Sequence, residues 1–448
     1  MKKQIAWILS FLMLAQMAVP NDVIAAPETA QVLSPENSVY EIPISPNVDY
    51  NMNLDWKFAI PEEKAWPLKD ARESMKVDGK EFFEVGYDDS MWESVSVPHS
   101  FNGNELFDNL ASGQGDAQLT RCITFYRKHF SVDPEHAGKK MLLEFEGVRQ
   151  AAYLWVNGQF AGYYEAGVNA FGFDITRFVK TDGSDNVIAV ALDNTTGRGM
   201  SEYMSETKPG SEPGSSDGTG YEWNSNEFNP TVGGLTRDVI LHVKSDVYQT
   251  LPLYNNLKTT GTYVYGQDID PKNQTATISV ESEVRNESAS AETLSLEVAV
   301  VDQEGNLWYR FEAEQPVVVE VASDKGVTFE RMVPDDAYDA SPMPTDTSTV
   351  EVKKIIASAK VEDIHLWSTK DPFLYDVYSI LKDGEEVLDV TKTTTGFRKV
   401  EAKGGTDGGI FINDERVWLT GYAQRATNEW ATVGAVPAWL HDYDMSLV

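Results

Sequence analysis

The sequence predicts a mainly β protein: two antiparallel sandwiches in tandem, followed by the opening strand and helix of an α/β unit. Three observations predict it. Apolar residues recur at every second position in many short segments, turn residues punctuate them at short intervals, and a sustained 3.6-residue period is nearly absent. In Leu142–Val148, Leu143 and Phe145 alternate with Glu144 and Glu146. In Thr277–Glu281, Ile278 and Val280 alternate with Thr277, Ser279 and Glu281, and every second residue of Leu294–Val300 is apolar. Asn157-Gly158, set between Ala-Tyr-Leu-Trp-Val and Gln-Phe-Ala-Gly, is a two-residue hairpin signal.

The chain opens on a targeting segment. Lys2 and Lys3 precede an apolar run from Ile5 to Val19, then Pro20 and the small residues Ala25 and Ala26. That order predicts a secretory signal peptide over residues 1–26, cleaved near Ala25 or Ala26. The expected location is periplasmic or secreted, with no membrane association after cleavage. Residues 28–245 are expected to form the first sandwich and 246–400 the second. Two polar stretches, Gly197–Gly220 and Pro334–Ser348, read as loops. Phe411–Leu419 looks like a hairpin leading into a strand, and Trp439, Leu440, Tyr443 and Leu447 stand at helical spacing. Residues 405–448 therefore read as the start of a strand–loop–helix unit.

Charge narrows the function classes. The formal net charge is −33, and a surface of that sign repels phosphate backbones, which argues against nucleic-acid partners. Neutral sugars are compatible with it. The single cysteine, Cys122, cannot form an internal disulfide and reads as a buried thiol on a strand. The six histidines, at 99, 129, 136, 242, 365 and 441, show no metal-ligand spacing, and no phosphate loop or Ser/His/Asp arrangement is recognisable. No cofactor is expected.

Several segments, taken in order, resemble family 2 glycoside hydrolases, the group of β-galactosidases, β-glucuronidases and β-mannosidases. They are Trp92–His99; Tyr126–Phe130 with Phe145–Val148 and Trp155–Gly158; Phe171–Thr176 with Asn186–Asn194; and Gly233–Val239. Leu366–Tyr375 and Thr395–Arg398 are similar to markers of that family's second domain, and Phe411–Gly421 to the segment leading into its catalytic barrel. The resemblance implies a jelly-roll sugar-binding-type domain, an immunoglobulin-like sandwich, and the first strand and helix of a truncated (β/α)₈ barrel. It also implies a retaining β-glycosidase of β-galactosidase type acting on an oligosaccharide or glycan, with two catalytic glutamates on later barrel strands.

Ile410 to Val448 is only 39 residues, whereas such a barrel takes ~250. No catalytic residue is therefore assigned here. Substrate contacts are expected instead from the loop after the first barrel strand, through Arg425, Asn428 and Glu429 as hydrogen-bonding groups and Trp430 as a stacking surface. The family's β-galactosidases carry a His in this loop where Gln424 and Arg425 stand. The resemblance also implies substrate contacts from Asp193 and Asn194, against which an ordinary turn role competes. His99 reads as structural, and Trp155 and Trp223 as a sugar platform or as core. A second reading of the whole chain is a stand-alone, non-catalytic carbohydrate-binding protein of two sandwiches, which leaves the barrel-like opening unexplained.

Overall fold

The computed structural model describes residues 39–61, 68–103, 105, 120, 122–149, 151–165, 169–194, 232–324, 350–406, 408–421 and 438–447. The predicted signal peptide and both predicted polar loops lie outside these residues.

The first sandwich packs a four-stranded sheet on a six-stranded one. The smaller sheet runs Val48–Asn51, Val239–Lys244, Lys140–Phe145, Phe171–Asp174, and the larger runs Glu93–Val95, Trp56–Ala59, Ile123–Ser131, Asp185–Asp193, Ala151–Val156, Gln159–Glu165, each in spatial order. All pairings are antiparallel. Inward residues of both sheets meet in one core, including Trp56, Tyr126, Leu143, Phe145, Leu154, Phe171, Val190 and Leu241. The larger sheet is also covered on its other face, where Phe82, Phe125, Tyr153, Trp155 and Ala191 form a second cluster. Double coverage explains why Val187–Leu192 reads as a continuous apolar run rather than an alternating one: every one of those side chains is buried. The Asn157-Gly158 hairpin is present, with φ of 50° and 81° at the two turn residues, as a primed two-residue turn requires.

The second sandwich pairs a sheet built around Thr275–Asn286, flanked by Val247–Gln249, Thr262–Asp270 and Lys353–Val361, with a sheet containing Glu292–Asp302, Tyr375–Asp383 and Glu386–Thr395. Ile278 and Val280 from one sheet and Leu296, Val298 and Val377 from the other fill its core, so the alternation in the sequence marks the inward face. Its junction with the first sandwich is tight. Lys140 Nζ pairs with Asp174 at 2.6 Å and with Glu287 at 2.8 Å, and Glu287 also receives Arg285 at 2.5 Å. A Cβ on Gly172 would lie 2.7 Å from Leu253, so the residue's lack of a side chain permits that contact.

A small three-stranded sheet, Val400–Lys403, Gly409–Ile412 and Glu415–Val417, follows. The expected hairpin turns at Asn413 and Asp414, both at positive φ. The strand expected to continue to Gly421 ends instead at Val417, and Trp418 is 78% exposed. A parallel barrel strand finds its hydrogen-bond partners on sequence-distant neighbours, and none lies among the described residues. The expected helix is present over Ala438–Ser446.

The outer edge of the smaller sheet carries a titratable clasp. His242 Nδ1 lies 2.7 Å from Asp49 Oδ1 and its Nε2 2.8 Å from Glu144 Oε2, which ties the edge strand Val48–Asn51 to its neighbours. Burial opposes the imidazolium, but the hydrogen bonds to Asp49 and Glu144 outweigh it and raise the His242 pKa. A raised folded-state pKa gives stability that is fully present below the unfolded value of about 6.5 and is lost as pH rises through the folded value. His242→Gln is therefore expected to cost most below about pH 6.5 and progressively less in alkaline buffer. Urea midpoints of both proteins across that range check this; a difference that grows with pH would refute it.

Candidate functional site

The candidate site is one end of the first sandwich, where the strand Asp185–Asp193 finishes. Asp193 closes that strand opposite Ile123 on one neighbour and Ala151 on the other, and is buried. Asn194 follows, fully buried, and bridges the strand end: its Oδ1 accepts from the Cys122 N–H at 3.0 Å and its Nδ2 donates to the Thr120 carbonyl at 3.4 Å. The Asn194 side chain thus orders the backbone around Asp193.

A second buried amide extends this network. Asn102 donates to Glu105 Oε2 at 2.9 Å and to the Thr120 carbonyl at 3.0 Å, and accepts from the Gly233 N–H at 2.7 Å. Glu105 also accepts from the Thr120 N–H at 2.8 Å and from the Thr120 hydroxyl. The Gly233-Gly234 pair lets these parts close up. A Cβ on Gly233 would lie 2.3 Å from the Phe101 ring and 2.7 Å from Asn194 Nδ2, and one on Gly234 would lie 2.1 Å from the His99 carbonyl oxygen. Gly234 has φ +146°, which favours glycine, and it pairs with Arg149 on the short strand Val148–Arg149.

His99 anchors the floor rather than offering a proton. Its Nδ1 lies 2.8 Å from the hydroxyl of the fully buried Tyr126, and its ring meets Phe58 edge-on at 4.8 Å. Burial pushes the imidazole down to about 4, so it is neutral at physiological pH. The structural reading of His99 follows from these contacts. Trp155 is likewise core, stacked on Phe83 at 5.2 Å and 6° and almost wholly buried; Trp223 lies outside the described residues.

Of the six residues expected to contact substrate, the structure brings Asp193 and Asn194 together at this end. Arg425, Asn428, Glu429 and Trp430 lie outside the described residues. Asn102, Glu105 and Arg149 were not singled out by sequence reasoning. Arg149 did leave a signal, a lone guanidinium in Gly147-Val148-Arg149-Gln150-Ala151-Ala152 between two apolar strand segments.

Known proteins match along both sandwiches. Residues 50–245 fit the model for the glycosyl hydrolases family 2 sugar binding domain, and residues 262–398 the model for glycosyl hydrolases family 2. The chain belongs to glycosyl hydrolase family 2. Its family 2 relatives include a β-glucuronidase of Formosa agariphila, 33% identical over 90% of this chain and 35% of its own length. A β-galactosidase of Thermoanaerobacter pseudethanolicus is 27% identical over 86% of this chain and 40% of its own. A solved structure described as a β-glucuronidase from glycoside hydrolase family 2 superposes with a TM-score of 0.71 at 31% identity, over 91% of this chain and 36% of that one. The chain thus spans little more than a third of the length of these family 2 proteins, and matches their N-terminal portion.

Proposed function

We propose that this chain is the substrate-flanking N-terminal part of a secreted, retaining β-glycosidase that removes terminal sugars from a glycan, with both catalytic glutamates beyond residue 448. One observation carries the reading: both sandwiches match, in order, proteins named as β-glucuronidases and β-galactosidases. The coverage supports the placement of the glutamates, since the chain spans little more than a third of the length of these relatives. The exposed Trp418, Leu419 and Trp439 support it too, because a lone binding module would leave that apolar surface in water.

In this reading the sandwiches do no bond-breaking. Asp193, buried at its strand end and set in place by Asn194, supplies a carboxylate for sugar hydroxyls, and the loop bearing Arg425, Asn428, Glu429 and Trp430 flanks the same substrate from the barrel mouth. The retaining chemistry needs two carboxyl groups ~5 Å apart on the barrel. Residues 1–26 direct export and are then removed.

The purified chain alone is expected to give no turnover of nitrophenyl β-galactoside or nitrophenyl β-glucuronide above background. Turnover by the chain alone would overturn the assignment. Sequencing the N-terminus of the exported protein checks the cleavage, which is expected near Ala25 or Ala26.

A further inference from the structure

The outward face of the sheet around Thr275–Asn286 carries side chains that the core does not use. Ala276, Ile278 and Val280 point into the core of the second sandwich, so their alternates point out. The strand register lays the outward residues in three rows across three strands: Tyr263–Glu281–Ile356, Tyr265–Ser279–Ser358 and Gln267–Thr277–Lys360. The two tyrosines stand side by side on one bordering strand, their rings stacked with centroids 5.1 Å apart at 26°. Tyr265 takes one face of the Tyr263 ring. Tyr263 is nevertheless 62% exposed, which leaves its other ring face to water.

The polar groups beside the rings are held in place and their charge is compensated. Glu281 accepts from the Tyr265 hydroxyl at 3.0 Å through Oε1 and from Lys354 Nζ at 3.3 Å through Oε2. The hydroxyls of Ser279 and Ser358 lie 2.8 Å apart. A carboxylate oxygen that takes one donor has capacity for another, and a hydroxyl both donates and accepts. The face thus sets aromatic surface beside positioned acceptors and donors, with its central carboxylate already neutralised. A pyranose presents the complement: an apolar C–H face for the electron-rich ring and hydroxyls for Glu281 and the serines. A protein partner fits less well, since Ile356 is the single aliphatic side chain in the three rows and a stable interface needs an apolar core. A polyanion also fits less well, because a chain of net charge −33 repels it. We propose that this sheet face is a binding surface for a neutral glycan, with Tyr263 stacking on a sugar ring and Glu281 accepting from its hydroxyls. It lies on the second sandwich, whereas Asp193 ends a strand of the first, and it goes beyond the glycosidase reading without resting on it.

Electrophoresis of the full chain through native gels cast with galactan, mannan or xylan tests this, with a polygalacturonate gel and a polymer-free gel alongside. Retardation in at least one neutral gel is expected. Tyr263→Ala should weaken the apparent affinity about tenfold, the loss of one ring contact with the sugar, and Glu281→Gln should weaken it by a smaller factor. Tyr254→Ala removes a tyrosine of similar exposure, 69%, from the short helix Tyr254–Leu257 and should leave the retardation unchanged. Both tyrosine variants should co-migrate with the native chain in the polymer-free gel, which shows that they are folded. Retardation by none of the neutral polymers, retardation that Tyr263→Ala leaves intact, an equal loss in Tyr254→Ala, or stronger retardation by polygalacturonate would each overturn the proposal. Sedimentation velocity covers another occupant: a self-association that Tyr263→Ala abolishes would overturn it by making the face an interface between copies. The glycosidase reading fails on a separate readout, turnover by the chain alone.

Discussion

Gly234→Ala is expected to lower the unfolding free energy of the first sandwich by at least about 3 kcal/mol. Two effects combine. The residue sits at φ +146°, where a side chain is strained, and its Cβ would lie 2.1 Å from the His99 carbonyl oxygen and 2.9 Å from Ser100 Cα. Both obstacles are backbone atoms, so no rotamer change relieves them. His99 cannot step aside, since its N–H donates to the Leu235 carbonyl at 2.6 Å and its ring is fixed on Tyr126. Gly384→Ala is the matched control: its φ is also positive, at +55°, but nothing lies within 4 Å of a Cβ there, so the expected loss is about 1 kcal/mol. Urea titrations followed by tryptophan fluorescence measure both. If the two substitutions prove equally mild, the close approach of the His99 and Gly234 backbones is wrong.

Gln249→Leu is expected to destabilise the second sandwich by about 3–5 kcal/mol, from roughly 1–3 kcal/mol for each buried polar group left without a partner. The side chain is fully buried where the chain enters that sandwich. Its Oε1 accepts from the Ser282 hydroxyl at 2.8 Å and the Ser379 hydroxyl at 2.5 Å, and its Nε2 donates to the Ser379 carbonyl at 3.0 Å. These partners lie on the two facing sheets, so one glutamine bridges both. Leucine preserves the volume and strands three polar groups. Thr391→Val removes a peripheral 3.4 Å contact to the same oxygen and a part-buried 3.2 Å hydroxyl contact to Thr262, and a loss of about 1 kcal/mol is expected. Calorimetric unfolding separates the two, and a Gln249→Leu profile matching Thr391→Val would remove the glutamine from the centre of the network.

Much of this architecture was legible in the sequence because strand faces obey a period of two. Ile278 and Val280 were readable as inward from their polar neighbours, and the primed turn at Asn157-Gly158 from its residue types. Other features were not. Nothing in Ile123-Thr124-Phe125 announces that the larger sheet is covered on both faces; that follows from Phe82, which arrives from a distant segment and meets Phe125 at 4.4 Å. The site was readable in outline only. Asp193 could be placed by its position at a strand end, but the bridging role of Asn194 depends on Cys122, 72 residues away. Arg149 showed in the sequence only as a lone guanidinium between apolar segments; that its Nε is buried without a partner required the structure.

The passage from one sandwich to the other has a mechanical consequence. The strand Val239–Lys244 of the first sandwich and the strand Val247–Gln249 of the second are separated only by Ser245 and Asp246. Ser245 is held by Asn47 at 2.7 Å, and the Asp246 carbonyl accepts from the Glu287 N–H at 2.7 Å. With no slack in the chain and the Lys140–Glu287 pair spanning the seam, the two sandwiches cannot swivel independently. They are coupled as parts of a jig: a swivel of one sandwich on the other would have to break the Ser245–Asn47, Glu287–Asp246 and Lys140–Glu287 contacts. Lengthening this junction by even one glycine would convert a fixed angle into a range of angles.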